Sequence, residues 1–330
     1  MAHGTVAEAV REPPAGPARP AGPPTRAGAL ATLRRRISRD RYLLLLISPV
    51  VAYYVLFYYV PMAGTLVAFE DYIPTKGVLG SDWVGFANFE QLFHSYYFGR
   101  IVTNTVLLSV YSIIFGFPAP LIFALILNEV KNRYFKRVAQ TISYLPHFIS
   151  VVVVAGMIVT FLSPTGGIVN NIRGQLGLGS FDYMSDPSYF RPIYVISGIW
   201  QEFGWGAIIY LAALAGIDPA LYDAADVDGA KRWQKTRHVT LPGLVPVTTI
   251  LLILSVGNLM VVGFEKVLLL YNPAIYQTAD VIQTYVYRSG IVSANYGFAA
   301  AVGLFNSVIN LILLVTVNYV AKRVSDVSLW

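Results

Sequence analysis

Six apolar stretches, at residues 42–68, 101–127, 142–162, 193–217, 244–270 and 298–321, constrain this chain more than any other feature. One helix needs about 20 consecutive apolar residues to cross a bilayer core, and each stretch is that long. The fourth contains Glu202, and the fifth meets Glu265 and Lys266 near its far end; the others are free of Asp, Glu, Lys and Arg. A large soluble protein buries an apolar helix here and there, but this chain lacks the polar surface to cover six. It is 55% hydrophobic and 13% charged with a mean hydropathy of +0.57, against about 25% charged in ordinary soluble domains. The expected fold is an all-α membrane protein with six transmembrane helices embedded in a lipid bilayer.

Residues 1–41 differ in kind. Pro13, Pro14, Pro17, Pro20, Pro23 and Pro24 stand among Ala, Gly and Arg without apolar periodicity, which reads as a disordered tail. The tail lacks the apolar stretch of a secretory signal, so the first span reads as an uncleaved anchor. A membrane domain over 42–321 and a short C-terminal tail over 322–330 complete the organisation. The basic residues give the orientation. With the tail and alternate loops on one side, that side holds 15 Lys and Arg, leaving out the distal Arg11, Arg19 and Arg26, and the opposite side holds 6. The richer side is the cytoplasm, which puts both termini there. The net charge of +6 is therefore a topology signal, and no nucleic-acid partner is expected. There is no cysteine, and His3, His94, His147 and His238 are too scattered for a metal site.

The connection between the fourth and fifth spans, residues 218–242, is unusually structured. Asp218 followed by Pro219 is a helix start: a capping acceptor, then a residue whose missing N–H costs nothing there. Ala224 and Ala225 are small enough for another surface to approach closely. Gly229 can adopt a backbone that ends one helix and opens the next. Leu241-Pro242 fits the first turn of the fifth span. Asp218, Asp223, Asp226 and Asp228 precede Lys231, Arg232, Lys235 and Arg237, an order that suits the helix dipoles. These features fit either a well-capped surface helix pair or a docking site for a cytoplasmic partner.

Asp223-Ala224-Ala225, then Asp228-Gly229-Ala230, then Leu241-Pro242 resemble the EAA…G…LP loop of ABC importer permeases in both residues and spacing. The resemblance continues through Ile199 to Gly206, Ile209 to Ala212 and Val84 to Phe89. The stretches from Tyr271-Asn272-Pro273 through Thr284 to Arg288, and Asn318 to Lys322, resemble the polysaccharide and aldouronate branch. It covers about 290 residues, everything but the tail. It implies the type I importer permease fold in a bacterial plasma membrane. It also implies a second permease subunit as heterodimer partner, two copies of an ATPase subunit below, and an extracellular solute-binding protein above. In such importers the loop carries a coupling helix that docks on the ATPase, so Asp223, Ala224, Ala225, Asp228, Gly229, Leu241 and Pro242 are the coupling candidates. Asp223 stands where the family usually has Glu, one methylene longer. Thr236 replaces a bulky Phe, for which Trp233 is the substitute anchor.

No catalysis is expected in this chain. There is no G-x-x-x-x-G-K-[ST] stretch to hold phosphates, so ATP and Mg belong on the partner ATPase and this chain binds no cofactor. No Ser-His-Asp or Cys-His set is legible. The alternative is a secondary transporter of an organic solute without an ATPase, but residues 42–162 and 193–321 show no repeat of the kind such transporters carry.

Glu202 is the charge deepest within a predicted span and should face protein or water, because lipid would cost it roughly 2.5–3.5 kcal/mol. No Lys or Arg is expected at its depth. Trp200, Trp205 and Tyr210 offer aromatic faces to sugar rings or act as packing anchors. Asn258, beside Gly257 and near Gly263, is the next candidate for the substrate path. Asn104, Asn306 and Asn310 read chiefly as interhelical hydrogen-bonding groups, and Pro146 as a kink or the start of the third span. The expected cargo is an oligosaccharide or sugar.

Overall fold

The computed structural model describes residues 39–325, so residues 1–38 of the expected tail and residues 326–330 lie outside it. The chain divides into two compact units, one ending at Ala63 and the other beginning at Gly64. In the first unit, helix α1 (Arg41–Tyr54) continues through a π-turn, Val55–Tyr59, to Met62.

Among its described residues the second unit's regular structure is helical apart from one two-residue antiparallel pair, β1 (Glu70–Asp71) with β2 (Asp82–Trp83). Helix α2 (Ala87–His94) precedes α3 (Phe98–Tyr111), which passes through a π-turn, Ser112–Gly116, into α4 (Pro118–Glu129). Next come α5 (Arg133–Tyr144), α6 (Val151–Leu162), α7 (Ile168–Gln175) and the 29-residue α8 (Pro187–Ala215). The loop helix α9 (Pro219–Val227) is followed by α10 (Arg232–Lys235), a π-turn, Thr236–Thr240, and α11 (Leu241–Gly257). Short helices α12 (Phe264–Leu270), α13 (Tyr276–Ala279) and α14 (Ile282–Val286) lead to α15 (Tyr296–Ser325). Residues 322 to 325 continue α15.

Among the described residues, four helical runs are long and apolar enough to cross a membrane: Arg41–Phe69, Phe98–Glu129, Arg232–Gly257 and Tyr296–Arg323. The number rises to six if two bent pairs, α5 with α6 and α8 with α9, each count as one span.

Proline placement explains three of the π-turns. Those at Val55–Tyr59, Ser112–Gly116 and Thr236–Thr240 each end two residues before Pro61, Pro118 or Pro242. A proline inside a helix lacks an N–H and collides with the carbonyl four residues back. Here those carbonyls belong to Phe57, Ile114 and His238, all within a widened turn that moves them aside. Pro242 stands in the first turn of α11, as its sequence context predicts, but α11 continues a longer helical run. The run starts ten residues earlier, at Arg232, and the π-turn accommodates the proline.

Two predicted spans change shape. The third, 142–162, bends by 96° between Phe148 and Val151. Pro146 ends the first part in a 3-10 turn, and the Ser150 hydroxyl caps α6 by accepting from the Val153 N–H at 3.4 Å. The 12 residues of α6 rise only about 18 Å, short of a bilayer core. The fifth span ends at Gly257 instead of continuing to Leu270. Asn258 terminates α11, and the chain turns through Gly263 to lay α12 against the rest of the bundle.

Close helix crossings hold the bundle together. A Cβ built on Gly204 of α8 would collide with the backbone of Ser143 in α5, and one on Gly206 would come within 3.0 Å of Pro120. Gly204→Val is expected to destabilise by at least the ~1–3 kcal/mol of an overpacked core, read as a lower melting temperature of the detergent-purified chain. One apolar cluster gathers Ala124, Ala207, Tyr210, Leu214 and Leu244 where α4, α8 and α11 meet. Two others centre on Leu108 with Val267, and on Ile101 with Phe298.

Candidate functional site

The loop after α8 is built by its caps. Asp218 accepts from the Ala220 N–H at 2.9 Å, and Pro219 occupies the first turn of α9. The C-terminal end closes as a Schellman motif: Ala230 N–H bonds the Ala225 carbonyl at 2.9 Å and Gly229 N–H the Asp226 carbonyl at 3.1 Å. That closure requires the left-handed backbone that Gly229 supplies, with φ +71°. The chain then reverses into the long helix, and two side-chain links fix the angle between the segments. Lys235 pairs with Asp226 at 2.7 Å, and the Tyr222 and Thr240 hydroxyls lie 3.0 Å apart.

The turned-out surface is apolar where water would disfavour it. Leu221, Ala224 and Val227 recur at three-residue spacing along α9 and are all exposed, Val227 at 89%. Trp233 joins them at 69% exposed, while Ala225 and Leu241 are half-buried and Asp223, Asp228, Gly229 and Pro242 are exposed. An exposed apolar stripe of this kind, rimmed by charge, has the chemistry of an interaction surface.

A second feature lies within the helices. A cavity of about 740 Å³ is lined by residues that include Ser112, Tyr194, Glu202, Glu265 and Lys266. His147, on the turn after α5, donates from Nδ1 to Glu202 Oε2 at 2.9 Å, and its ring stacks on Trp205 with centroids 4.4 Å apart. Gln201 ties the same region together by donating to the Ile149 carbonyl at 3.0 Å. Lys266 is buried, donates to the Tyr194 carbonyl at 3.2 Å, and lies over the Tyr194 ring. Lys266 thus sits on the same cavity as Glu202, contrary to the expectation that no cation reaches that depth. The break after Gly257 explains it, because the chain doubles back and carries α12 to the cavity wall.

A third cluster surrounds Asp280, whose side chain is fully buried. Arg288 grips it with two bonds of 2.7 Å, Thr284 donates at 2.9 Å, and Arg100 donates at 3.2 Å. Asn104 donates to the backbone carbonyls of Asp280 and Gln277 and accepts from Arg191 at 2.9 Å. Burial disfavours the Arg288 cation, but the hydrogen bonds and charge of Asp280 outweigh it and raise its pKa above the usual arginine range. The cluster joins α3, the start of α8 and the segment before α15. Arg191 and Ala215 lie 24 residues apart on α8, so the cluster and the loop are about 36 Å apart along that helix.

Comparison with known proteins agrees with this arrangement. Residues 116–326 match the family described as binding-protein-dependent transport system inner membrane component. The chain belongs to that family. It is the membrane-spanning permease of an ABC importer in the plasma membrane, and ATP hydrolysis is the work of a separate subunit. LplB of Bacillus subtilis (strain 168) is 42% identical, covering 89% of this chain and 92% of that protein. The polygalacturonan/rhamnogalacturonan transport system permease YteP of the same organism is 39% identical over the same shares. A crystal structure of a bacterial ABC transporter that imports the acidic polysaccharide alginate has a chain 44% identical, with TM-score 0.84, covering 89% of this chain and 99% of that one. Membership in this family removes the secondary-transporter alternative.

The permease's predicted path residues do not all converge. Glu202 lines the central cavity and Trp205 adjoins it through His147. Trp200 faces a different, apolar cavity between α6, α7 and α8. Tyr210 is 2% exposed within the α4–α8–α11 cluster and lines neither cavity. Asn258 is exposed at the end of α11, where its amide donates to the Leu254 carbonyl one turn back at 3.0 Å. Asn104 and Asn310 bond between segments, Asn310 by accepting from the Met260 N–H at 3.0 Å. Sequence reasoning missed His147, Lys266 and the Asp280 cluster. A signal existed for the last, since Asp280 is the lone carboxylate between Ala279 and Val281-Ile282, eight residues before Arg288.

Proposed function

We propose that this permease imports an oligosaccharide or sugar by alternating access, with residues 218–242 as the element that couples it to the ATPase. The observation that carries this reading is the exposed apolar stripe Leu221, Ala224 and Val227 on a helix closed by Gly229. The named cargoes of its relatives, alginate and polygalacturonan/rhamnogalacturonan, support a carbohydrate. The working complex contains a second permease subunit, two ATPase copies that bind ATP and Mg, and a solute-binding protein outside the cell. The loop and both termini face the cytoplasm, in keeping with the 15 basic residues against 6.

Substrate passes the central cavity beside Glu202, His147 and Trp205. A carboxylate oriented by His147 is a strong acceptor for sugar hydroxyls, and the exposed edge of Trp205 offers an apolar face. ATP-driven uptake of an oligosaccharide by proteoliposomes holding the assembled transporter tests this reading. Glu202→Gln is expected to lower that uptake about tenfold, the loss of one hydrogen bond to a charged group. Tyr210→Phe, away from the cavity, is expected to stay within about twofold. Equal uptake by wild type and Glu202→Gln contradicts the path.

A further inference from the structure

The Asp280 cluster holds more positive charge than its structural role uses. Arg288 already satisfies the carboxylate with two bonds, yet Arg100 reaches the same oxygen, Oδ2, at 3.2 Å. Arg100 bonds Asp280 through Nη2 alone and its Nε is sealed from solvent, so Nη1 and the second Nη2 hydrogen are the donors left for a ligand. Two guanidinium groups share one carboxylate. Both border an open cavity of about 580 Å³, lined by Tyr97, Arg100, Tyr276, Gln277, Tyr285 and Arg288 among others. The Arg100 guanidinium lies 4.8 Å over the Tyr97 ring and that of Arg288 4.9 Å over Tyr276.

We propose that this cavity is an outer substrate site, in which Arg100 takes the carboxylate of an acidic, uronate-type oligosaccharide. The inference rests on the carbohydrate reading above and names the class of sugar. An arginine fork matches a carboxylate with two parallel bonds, and stacking on a ring fixes the plane of the fork. Tyrosine faces beside it suit the C–H faces of a pyranose. The cavity volume is that of a small-ligand site, and the recessed arginines, 30% and 27% exposed, favour a ligand that enters over a flat protein surface. The cavity stands at the opposite end of α8 from the coupling loop, which is the outer mouth. The central cavity sets Glu202 and Glu265 against Lys266 and has no cation excess, so charge selection belongs at the mouth.

The test uses the assembled transporter in proteoliposomes with saturating binding protein. It compares uptake of a uronate tetrasaccharide with uptake of its carboxyl-reduced, neutral counterpart. Arg100→Gln is expected to lower the acidic-to-neutral ratio about tenfold, the scale of one hydrogen bond to a charged group. Arg100→Lys, which keeps the charge without the fork, lowers it less. Tyr97→Leu, a milder change that removes the ring beneath the fork, lowers it about threefold and serves if Arg100→Gln fails to assemble. An unchanged ratio in both Arg100→Gln and Tyr97→Leu overturns the proposal. So does a loss in both sugars that more binding protein restores, because the cavity then docks that protein. If wild type imports the neutral sugar alone, this inference fails and the carbohydrate reading stands. Import of neither sugar ends both.

Discussion

Gly229→Asp is expected to leave the permease folded and membrane-inserted while transport falls at least tenfold, the effect of about 1.4 kcal/mol lost at the docking contact. The structure separates these two consequences. No atom outside the neighbouring residues lies within 4 Å of a Cβ built on Gly229, so the new side chain meets open space. Its φ of +71° strains most residues, but aspartate is among those that enter this region most readily. The added carboxylate stands beside Asp226 and Asp228, at the end of an apolar stripe. It would have to be desolvated for α9 to seat on a partner. The measurement is ATP-driven uptake, normalised to chain recovered from membranes. Gly229→Val is the complementary variant, because a β-branched residue resists the left-handed backbone and disturbs the turn itself.

Asp280→Asn is expected to have the largest effect on stability. Removing one partner of a buried ion pair costs about 3–5 kcal/mol, a large share of the ~5–15 kcal/mol that holds a domain folded. The lower end applies here, since Arg100 and Arg288 keep roughly a quarter to a third of their surface exposed. The amide can accept from one guanidinium but must turn its own N–H groups toward the other. A much lower melting temperature of the detergent-purified chain is the readout. Adding Arg288→Gln should recover part of the loss, because it withdraws the cation left without its partner, and the coupling between the two changes measures the pair. A single variant within about 0.5 kcal/mol of wild type would show that the cluster is not structural.

The membrane character and the loop were legible because both depend on local chemistry. Apolar runs of bilayer length need no tertiary information, and Asp218-Pro219 and Gly229 form caps from their own neighbours. The span ends were less legible for the same reason. Hydropathy continues across Gly257 to Leu270, and composition alone cannot register that Asn258 stops the helix. Pro242 reads as a helix start in sequence and opens α11, but the π-turn that joins α11 to the run from Arg232 has no sequence signal of its own. The surroundings of Glu202 depend on chain reversals, at Pro146 for its partner His147 and after Gly257 for Lys266 on the same cavity, so these residues stand 55 positions before it and 64 after it. Tyr210 and Trp200 lie on the same helix as Glu202, but rotation about the axis gives each a different neighbour, a distinction the spacing 200, 202, 205 and 210 does not convey.

The most direct test of the central claim, that α9 docks on the ATPase, uses the absence of cysteine from the sequence. Val227→Cys places a single thiol at the most exposed apolar position of the stripe, and Ile291→Cys places one at the opposite end of the bundle, where Ile291 is also exposed. Membranes holding the assembled transporter are treated with a short thiol-to-amine crosslinker. A crosslink from Val227→Cys to the ATPase subunit, with none from Ile291→Cys, is the expected result. A crosslink from Ile291→Cys to the ATPase, or none from Val227→Cys in a transporter that hydrolyses ATP, contradicts the coupling role of residues 218–242.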